Sequence, residues 1–275
     1  MSASPSPSTV PFAPQPSAGA LAQALGLPVF APHWHMPQYP DGAVGPWQMK
    51  RTGVGLDRGY HSGPCVTSGS TVLMRQSAAG GWETWMSLSP MEIESQELAC
   101  HHARGHTVVM GLGMGWVAAN MALQPSVERV TVVERDGDVL ELFRRCRVLE
   151  GLPESAARKV ELVQADALQW QPQGAPVDFL YADIWLNLAE SHTLAEVQRM
   201  QANVLATQVY FWGQELVLGA MACAQAEPNT PVWADAVDRA VRETCLPLLA
   251  LAEEGYANLI ARVLQLRQGR QPNAG

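Results

Sequence analysis

The feature that most constrains the fold is a regular alternation of short apolar runs and helix-like segments between residues 107 and 211. Strands are predicted at residues 107–110, 130–133, 160–163, 177–181 and 208–211. Helices are predicted between them at residues 116–123, 137–149 and 194–204, the last after a Thr193 to Glu196 capping box. Alternating strands and helices form a parallel sheet with helices on both faces, so we expect an α/β fold with a mostly parallel sheet.

A glycine-rich loop, Gly111-Leu112-Gly113-Met114-Gly115, follows the first predicted strand and precedes a predicted helix. Glycines allow a tight turn and a close approach of the backbone to a ligand, and the helix N-terminus offers free N–H groups. Close packing of a strand on a helix would also explain such a loop. The loop alone therefore does not decide whether a ligand binds.

Three carboxylates, Glu134, Asp166 and Asp183, each follow an apolar run. Ligands of open parallel sheets bind at the carboxyl ends of the strands, so we expect all three beside the glycine loop. Glu134 could accept hydrogen bonds from both hydroxyls of a ribose. Two structural alternatives stay open. Glu134 could be a favourable charge at the N-terminus of the next helix, although Asp136 fills that role better as N-cap. Asp183 could be the N-cap of the turn that follows it.

Residues 108–115 (VVMGLGMG), 132–136 (VVERD) and 163–167 (VQADA) together resemble the class I S-adenosylmethionine-dependent methyltransferases, over about residues 105–215. The resemblance implies a Rossmann-like domain with S-adenosyl-L-methionine as cofactor. It implies that the methionine part of the cofactor contacts Gly111, Leu112, Gly113 and Gly115, the ribose Glu134 with Arg135 beside it, and the adenine Asp166 and Ala167. A nicotinamide-binding site is a weaker interpretation. The third glycine of its GxGxxG motif stands one residue later than Gly115 does here, and such a site does not explain Asp166.

Upstream, strand-like runs at residues 70–76 and 82–88 predict a hairpin, and Ser89-Pro90 predicts a helix to about residue 102. This order is similar to the entry into the spermidine synthase fold. That family carries an acidic GGGDGG-type loop and a Tyr-His-Glu motif, whereas this chain has Leu112 and Met114 in the loop and Glu92, Glu94 and Gln96 on the helix. We therefore expect a shared scaffold, and leave aminopropyl or aminocarboxypropyl transfer as an alternative to methyl transfer.

Methyl transfer from a sulfonium is an in-line displacement, in which the protein positions the nucleophile and accepts a proton if one leaves. Asp183 is the candidate catalytic residue, able to orient an acceptor amine or hydroxyl, or to bind the cofactor's ammonium. Candidate substrate contacts in the same cleft are Trp185, Trp212, Gln214 and Glu215. Tyr210 and Phe211 are expected in the core, Tyr60 and His61 in a solvated loop, and only some of Glu92, Glu94 and Gln96 at the cofactor.

The net charge of −8 and the lack of a Lys/Arg cluster argue against nucleic acid as the main partner. We expect a small-molecule or peptide acceptor. Five cysteines without a CxxC pair suit a reducing compartment, and we find neither a signal peptide nor a run of about 18 apolar residues, so a cytoplasmic protein without membrane contact is expected. The histidines do not have the spacing of metal ligands, so no metal site is expected.

Four regions are predicted. They are a disordered Pro/Ser-rich tail (1–20), an N-terminal arm with the hairpin and helix (21–104), the cofactor-binding domain (105–215) and C-terminal helices (216–275). The arm is expected to be irregular over residues 21–64, and helices are predicted at 215–226, 230–245 and 248–266. The antiparallel hairpin that usually ends a methyltransferase sheet is not evident, so these helices would form a lid or a dimer surface, which leaves a homodimer open. A cofactor-binding partner subunit without activity is a further alternative.

Overall fold

The computed structural model describes residues 17–249 and 254–268 of the 275-residue chain. The elements that precede the glycine loop are α1 (Ala18–Leu25), β1 (Gly42–Val44), β2 (Trp47–Arg51), β3 (Gly55–Arg58), β4 (Pro64–Thr67), β5 (Thr71–Gln76), β6 (Trp82–Ser87), α2 (Pro90–His102) and β7 (Gly105–Met110). Those that follow it are α3 (Trp116–Leu123), β8 (Val127–Glu134), α4 (Gly137–Arg145), α5 (Glu154–Ala157), β9 (Val160–Gln164), β10 (Phe179–Ala182), α6 (Thr193–Val204), β11 (Gln208–Phe211), α7 (Gln214–Cys223), α8 (Trp233–Glu243) and α9 (Glu254–Gln268).

The centre of the molecule is a five-stranded parallel sheet in the order β11-β10-β7-β8-β9. Alternate residues of β7 face opposite sides of this sheet. Val109 packs with Phe143 of α4 in one buried cluster, whereas Met110 packs with Val197 of α6 in another. The predicted α/β fold with a Rossmann-like parallel sheet flanked by helices is confirmed.

The chain order reverses between β7 and β10, which are neighbours although they lie far apart in sequence. Met110, the last residue of β7, is in register with Ala182, the last residue of β10. The residues that follow, Gly111 and Asp183, therefore leave the sheet side by side. In open α/β sheets this reversal opens a crevice at the carboxyl ends of the strands.

Most of the predicted helices lie where the sequence places them, but two details are wrong. α4 ends at Arg145, four residues early, and a 3-10 turn follows at Leu149–Gly151. The Thr193 to Glu196 capping box does not form. The Thr193 hydroxyl is buried without a partner in the described residues, and the Glu196 carboxylate instead accepts a hydrogen bond from the indole of Trp185.

The N-terminal arm is more regular than predicted. The β5–β6 hairpin is confirmed, but β1 and β2 join it in an antiparallel sheet ordered β1-β2-β5-β6, and β3 pairs with β4. Trp47 and Met49 of β2 are buried while Gln48 between them is less so. This alternation is only three residues long in a Gly/Pro-rich segment, so the strand becomes recognisable only when β5 pairs with it.

At the two ends of the chain the helices also depart from prediction. Residues 1–16 of the predicted disordered tail lie outside the described residues, but residues 18–20 form the first turn of α1, capped by the Ser17 hydroxyl. The helix predicted from residue 248 begins at Glu254. Residue 248 instead bridges Val209 of β11, so an extended segment covers the edge of the sheet. Among the described residues, no helix is long and apolar enough to cross a membrane.

Candidate active site

A cleft of about 720 Å³ opens at the carboxyl ends of the parallel strands, between the sheet and the four-stranded N-terminal sheet. Most of the predicted site residues line it, namely Gly111, Leu112, Gly113, Glu134, Arg135, Asp166, Ala167, Asp183, Trp185 and Trp212. Gly115, Gln214 and Glu215 do not. The structure therefore brings ten of the predicted positions together around one volume.

The first two glycines of the loop are required by their surroundings. Gly111 has a φ of +98°, and a Cβ there would lie 2.0 Å from the backbone oxygen of Asp183. A Cβ on Gly113, with φ of +51°, would lie 2.3 Å from the sulfur of Met86. A Cβ on Gly111 would meet backbone, and the positive φ disfavours a side chain at Gly113, so the loop presents its backbone to the cleft.

Gly115 has a different role. It is the N-terminal cap of α3, and a Cβ there would lie 2.1 Å from the ring of Phe143. The prediction that Gly115 faces the cofactor is not supported, because it allows the packing of α3 on α4 and lies outside the cleft.

Glu134, the last residue of β8, connects the glycine loop to the neighbouring turn. Its two carboxylate oxygens accept hydrogen bonds from the backbone N–H groups of Leu112 (3.0 Å) and Asp136 (2.8 Å). Asp136 is the N-cap of α4, as predicted, so Glu134 is not needed for that task. A carboxylate has about four acceptor positions, so Glu134 can still accept bonds from a ligand in the cleft.

Asp166 and Ala167 line the cleft after β9. The Asp166 carboxylate accepts hydrogen bonds from the Leu168 N–H (2.9 Å) and from the Gln169 amide (2.7 Å). It therefore stabilises its own turn. Ala167 is buried against the core, and the exposed Arg135 reaches the cleft from the turn after β8.

Asp183 belongs to a group of four side chains that we call the carboxyl cluster: Glu92, Gln96, Tyr181 and Asp183. All four line the cleft. Asp183 Oδ2 accepts hydrogen bonds from the Gln96 amide (3.2 Å) and the Tyr181 hydroxyl (3.1 Å). Within the described chain its carboxylate receives no bond from the turn that follows, so its hydrogen bonding does not support the N-cap alternative.

Burial controls the ionisation of the cluster. It raises the pKa of Asp183 to about 7, against the opposing effect of the Tyr181 hydrogen bond. Burial also raises the pKa of Glu92 well above its ordinary value, and the nearby Asp183 charge raises it further. The two carboxyls are joined through Gln96, whose amide also lies 3.4 Å from Glu92 Oε1. At neutral pH the pair therefore retains protons that exposed carboxyls would lose.

Two tryptophans form fixed walls of the cleft. The indole of Trp185 donates to Glu196 (2.6 Å), and that of Trp212 donates to the Ser95 hydroxyl (2.9 Å). Tyr210 and Phe211, the residues just before Trp212, are buried in the core as predicted.

Gln214 and Glu215 do not wall the cleft, and that prediction is wrong. α7 begins at Gln214, which turns both side chains into the protein interior. Gln214 donates to the Leu249 carbonyl and the Tyr256 hydroxyl. Glu215 accepts hydrogen bonds from the hydroxyls of Tyr60, Tyr210 and Tyr256.

Tyr60 and His61 do not form a solvated loop. Tyr60 is 2% exposed and His61 is half-buried between the carboxylates of Glu94 and Glu97. The interaction with Glu97 raises the pKa of His61. Glu94 bonds to this turn, and so faces away from the cleft, whereas Glu92 and Gln96, four residues apart on α2, share the face that reaches it.

Sequence reasoning missed the contribution of the N-terminal sheet. The Trp47 indole donates to Asp136 Oδ2 (2.9 Å), and the Arg75 guanidinium lies over the rings of Trp47 and Trp85, 5.3 and 5.7 Å from their centroids. With Met86, these side chains cover the glycine loop side of the cleft. The aromatic residues of the predicted hairpin, Trp82 and Trp85, were the signal that could have indicated part of this wall, whereas Trp47 lies outside that hairpin.

In the part of the chain that the structure describes, no cluster of three or more His, Cys, Asp or Glu residues could hold a metal ion.

No protein-family model matches the sequence, and no curated protein matches it. Solved structures do match. The methyltransferase domain of bacterial CtHen1 is 15% identical over 42% of this chain and 59% of that one, with a TM-score of 0.34. The glycopeptide N-methyltransferase MtfA in complex with S-adenosyl-L-methionine is 22% identical over 40% and 43%, with a TM-score of 0.31. Spermidine synthase from Thermotoga maritima is 16% identical over 52% of each chain, with a TM-score of 0.35. The matched regions span between 43% and 59% of the length of these proteins.

Proposed function

We propose that this protein is an S-adenosyl-L-methionine-dependent methyltransferase that acts on a small molecule or a peptide side chain. The observation that carries the proposal is the convergence of the glycine loop, Glu134 and Asp183 in one cleft at the reversal point of the sheet. A cleft of about 720 Å³ lies within the range of ligand and cofactor sites.

The residues of the cleft fit this cofactor. The backbone of Gly111 and Gly113 can approach the methionine part, because neither residue carries a side chain and both have a positive φ. Glu134 retains acceptor positions for the ribose hydroxyls, and Asp166 with Ala167 lies at the end of the next strand, where the adenine is proposed to bind. When bound, S-adenosyl-L-methionine supplies an electrophilic methyl group.

The acceptor is proposed to lie against Asp183, between Trp185 and Trp212. A general base is most effective when its pKa is near the working pH, and the pKa of Asp183 is about 7. Asp183 can therefore orient the acceptor and take its proton at neutral pH. The tryptophan rings, fixed by their indole hydrogen bonds, exclude water from this end of the cleft.

Calorimetric titration with S-adenosyl-L-methionine tests the cofactor site. We expect Glu134→Ala to weaken binding about 100-fold, since it removes two charge-assisted hydrogen bonds to the ligand. Gly113→Val should have a comparable effect, because the new side chain would occupy the space beside the glycine loop that the cofactor needs. Glu141→Gln, on the exposed side of α4, is the matched control and should bind like the wild type. Unchanged affinity in both site variants would rule out the proposed cofactor site.

Incubation with cofactor labelled on the methyl carbon, followed by mass analysis of the products, tests the reaction. Label recovered in the acceptor supports methyl transfer, whereas the mass of a larger group would indicate aminopropyl or aminocarboxypropyl transfer. Cofactor binding with turnover only when another protein is added would indicate a cofactor-binding partner subunit.

A further inference from the structure

The charged side chains that line the cleft differ in whether the protein gives them a partner. Outside the carboxyl cluster, every acidic side chain of the cleft accepts a hydrogen bond; these residues are Glu134, Asp136, Asp166, Glu190 and Glu196. Within the described chain, the guanidinium groups of Arg75 and Arg135 form no hydrogen bond and no ion pair. The charged groups left without a polar partner are therefore cationic, which favours an anionic ligand.

Arg75 differs from Arg135 because two tryptophans hold it in place. Its guanidinium lies 5.3 Å from the ring centroid of Trp47 and 5.7 Å from that of Trp85. These two rings meet edge to face, 5.3 Å apart, and the Trp47 indole is itself bonded to Asp136. A guanidinium that already packs on fixed rings loses less freedom when it binds a ligand, so Arg75 is preorganised at the cleft.

Arg75 also does not pair with the carboxylate that its own sheet offers. Glu83 of β6 stands directly opposite Arg75 of β5, a position where opposite charges attract. The two side chains nevertheless form no ion pair, and only Arg75 lines the cleft, together with Leu73 two residues earlier. The guanidinium is therefore available to a ligand in the cleft.

We propose that Arg75 binds a carboxylate group of the acceptor, a proposal that rests on the cleft being the cofactor and acceptor site described above. A guanidinium presents parallel N–H donors that match both oxygens of a carboxylate. A neutral amide offers one uncharged oxygen and gains less. A phosphate would bring a second negative charge, which no other fixed cation among the described residues of the cleft balances.

The position of Arg75 allows it to act on a molecule that reaches the methyl donor. Trp85, which contacts Arg75, precedes Met86, whose sulfur covers Gly113 of the glycine loop. Arg75 therefore belongs to the part of the N-terminal sheet that lies over the loop. An acceptor that extends along this sheet can place its carboxylate at Arg75 and its nucleophile at Asp183.

The acidic side chains of the cleft do not prevent a carboxylate from binding. Burial raises the pKa values of Asp183 and Glu92, so this pair keeps protons at neutral pH. Glu134 accepts two backbone N–H groups, and Glu196 accepts the indole of Trp185. These hydrogen bonds compensate the carboxylates locally, whereas the charge of Arg75 is left for the ligand.

Benzoate and benzamide, which share a shape and differ in charge, test the proposal by calorimetry on protein saturated with S-adenosylhomocysteine. The wild type should bind benzoate about tenfold more tightly than benzamide, and Arg75→Gln should bring this ratio near one. Arg75→Lys keeps the charge but loses the paired donors, so its ratio should lie between the two. Arg51→Gln, on β2 of the same sheet but outside the cleft, is the matched control and should keep the wild-type ratio.

The cofactor also carries a carboxylate, and a second comparison separates the two sources. Arg75→Gln should leave the affinities for S-adenosylhomocysteine and for its carboxamide within about twofold of the wild-type values. A variant that binds S-adenosylhomocysteine about tenfold more weakly, with its carboxamide unaffected, would show that Arg75 holds the cofactor and would overturn the acceptor site. Because Arg75 is exposed, its replacement should leave the fold intact, which circular dichroism and the thermal midpoint confirm.

Equal binding of benzoate and benzamide by the wild type, with S-adenosylhomocysteine bound, would overturn the carboxylate site and leave the proposed function standing. A wild type that does not bind S-adenosylhomocysteine would instead contradict the proposed function. Benzoate and benzamide are then compared on the protein alone. A preference for benzoate that Arg75→Gln removes would still support the carboxylate site, and equal binding would overturn it.

Discussion

Two carboxylates follow neighbouring strands of the parallel sheet, and the protein holds them in opposite ways. Asp183 follows β10 and Glu215 follows β11, and burial raises the pKa of both. Glu215 accepts hydrogen bonds from three tyrosine hydroxyls that come from the N-terminal arm, from β11 and from α9. Asp183 has two neutral donors and a second carboxyl, Glu92, close by.

The difference shows that burial of a charged group does not by itself mark a ligand site. Glu215 is bonded to three tyrosine hydroxyls that come from three distant segments of the chain, so we expect it to contribute mainly to stability. The carboxyl cluster opens onto the cleft and has raised pKa values, so we expect it to contribute mainly to binding and catalysis.

The largest expected effect is on stability. Glu215→Ala should lower the free energy of unfolding by about 4 kcal/mol, because it leaves three buried hydroxyls without an acceptor. Asp183→Ala should lower it by less than about 1 kcal/mol, since it also removes the cost of a buried charge. Urea denaturation at pH 7 measures both. Equal losses would mean that the two carboxylates do not differ in role.

The second expected effect is on turnover. Asp183→Asn should reduce kcat about 100-fold or more, the usual contribution of a general base, while binding of the cofactor's adenosine part is retained. Glu215→Gln should leave kcat within about threefold of the wild type, since the residue lies outside the cleft. Steady-state kinetics with an acceptor found in the labelled-cofactor screen provide the readout. A larger loss of kcat in Glu215→Gln than in Asp183→Asn would reverse the assignment.

The third expected effect concerns pH. The folded-state pKa of Asp183 is about 7 and its unfolded value is near 4, so between these values the folded protein holds a proton that the unfolded chain releases. Asp183 therefore makes the wild type lose stability as pH rises from about 4 to about 7. Asp183→Asn removes this loss, so the variant should gain about 3 kcal/mol over the wild type across that interval. A constant difference in unfolding free energy between pH 4 and pH 8 would contradict it.

The smallest expected effect separates two tyrosines that stack at 6.1 Å between ring centroids. The Tyr181 hydrogen bond lowers the pKa of Asp183. Tyr181→Phe should therefore raise that pKa and move the acidic limb of the pH–rate profile to higher pH. Tyr210→Phe should leave that profile unchanged and lower the free energy of unfolding by about 1 kcal/mol, through the loss of its bond to Glu215. Identical pH–rate profiles in both variants and the wild type would show that Tyr181 does not act on Asp183.

Much of the cleft could be predicted from local patterns. The apolar runs indicated the parallel strands, the glycines indicated the loop between β7 and α3, and Ser89-Pro90 indicated the start of α2. Glu134 and Asp183 could be placed at the cleft because a residue that follows a parallel strand must lie at the carboxyl edge of the sheet.

Gln214 and Glu215 show where this reasoning ends. They too follow a strand, but Gly213, with a φ of +84°, starts α7 at once and turns them into the interior. The direction of the chain after a strand depends on the backbone of the next residues, and the apolar pattern of the strand does not contain that information.

The sequence by itself determined the parallel α/β sheet, the glycine loop and the carboxylates at the strand ends, because each is encoded by a short stretch of neighbouring residues. Only the tertiary structure decided that Gln96 bonds to Asp183, 87 positions away, and that Trp47 covers the cleft by bonding to Asp136, 89 positions away. Contacts of this kind depend on how α2 and the N-terminal sheet pack over the carboxyl edge. That packing is set by the burial of whole surfaces, which local sequence patterns do not record.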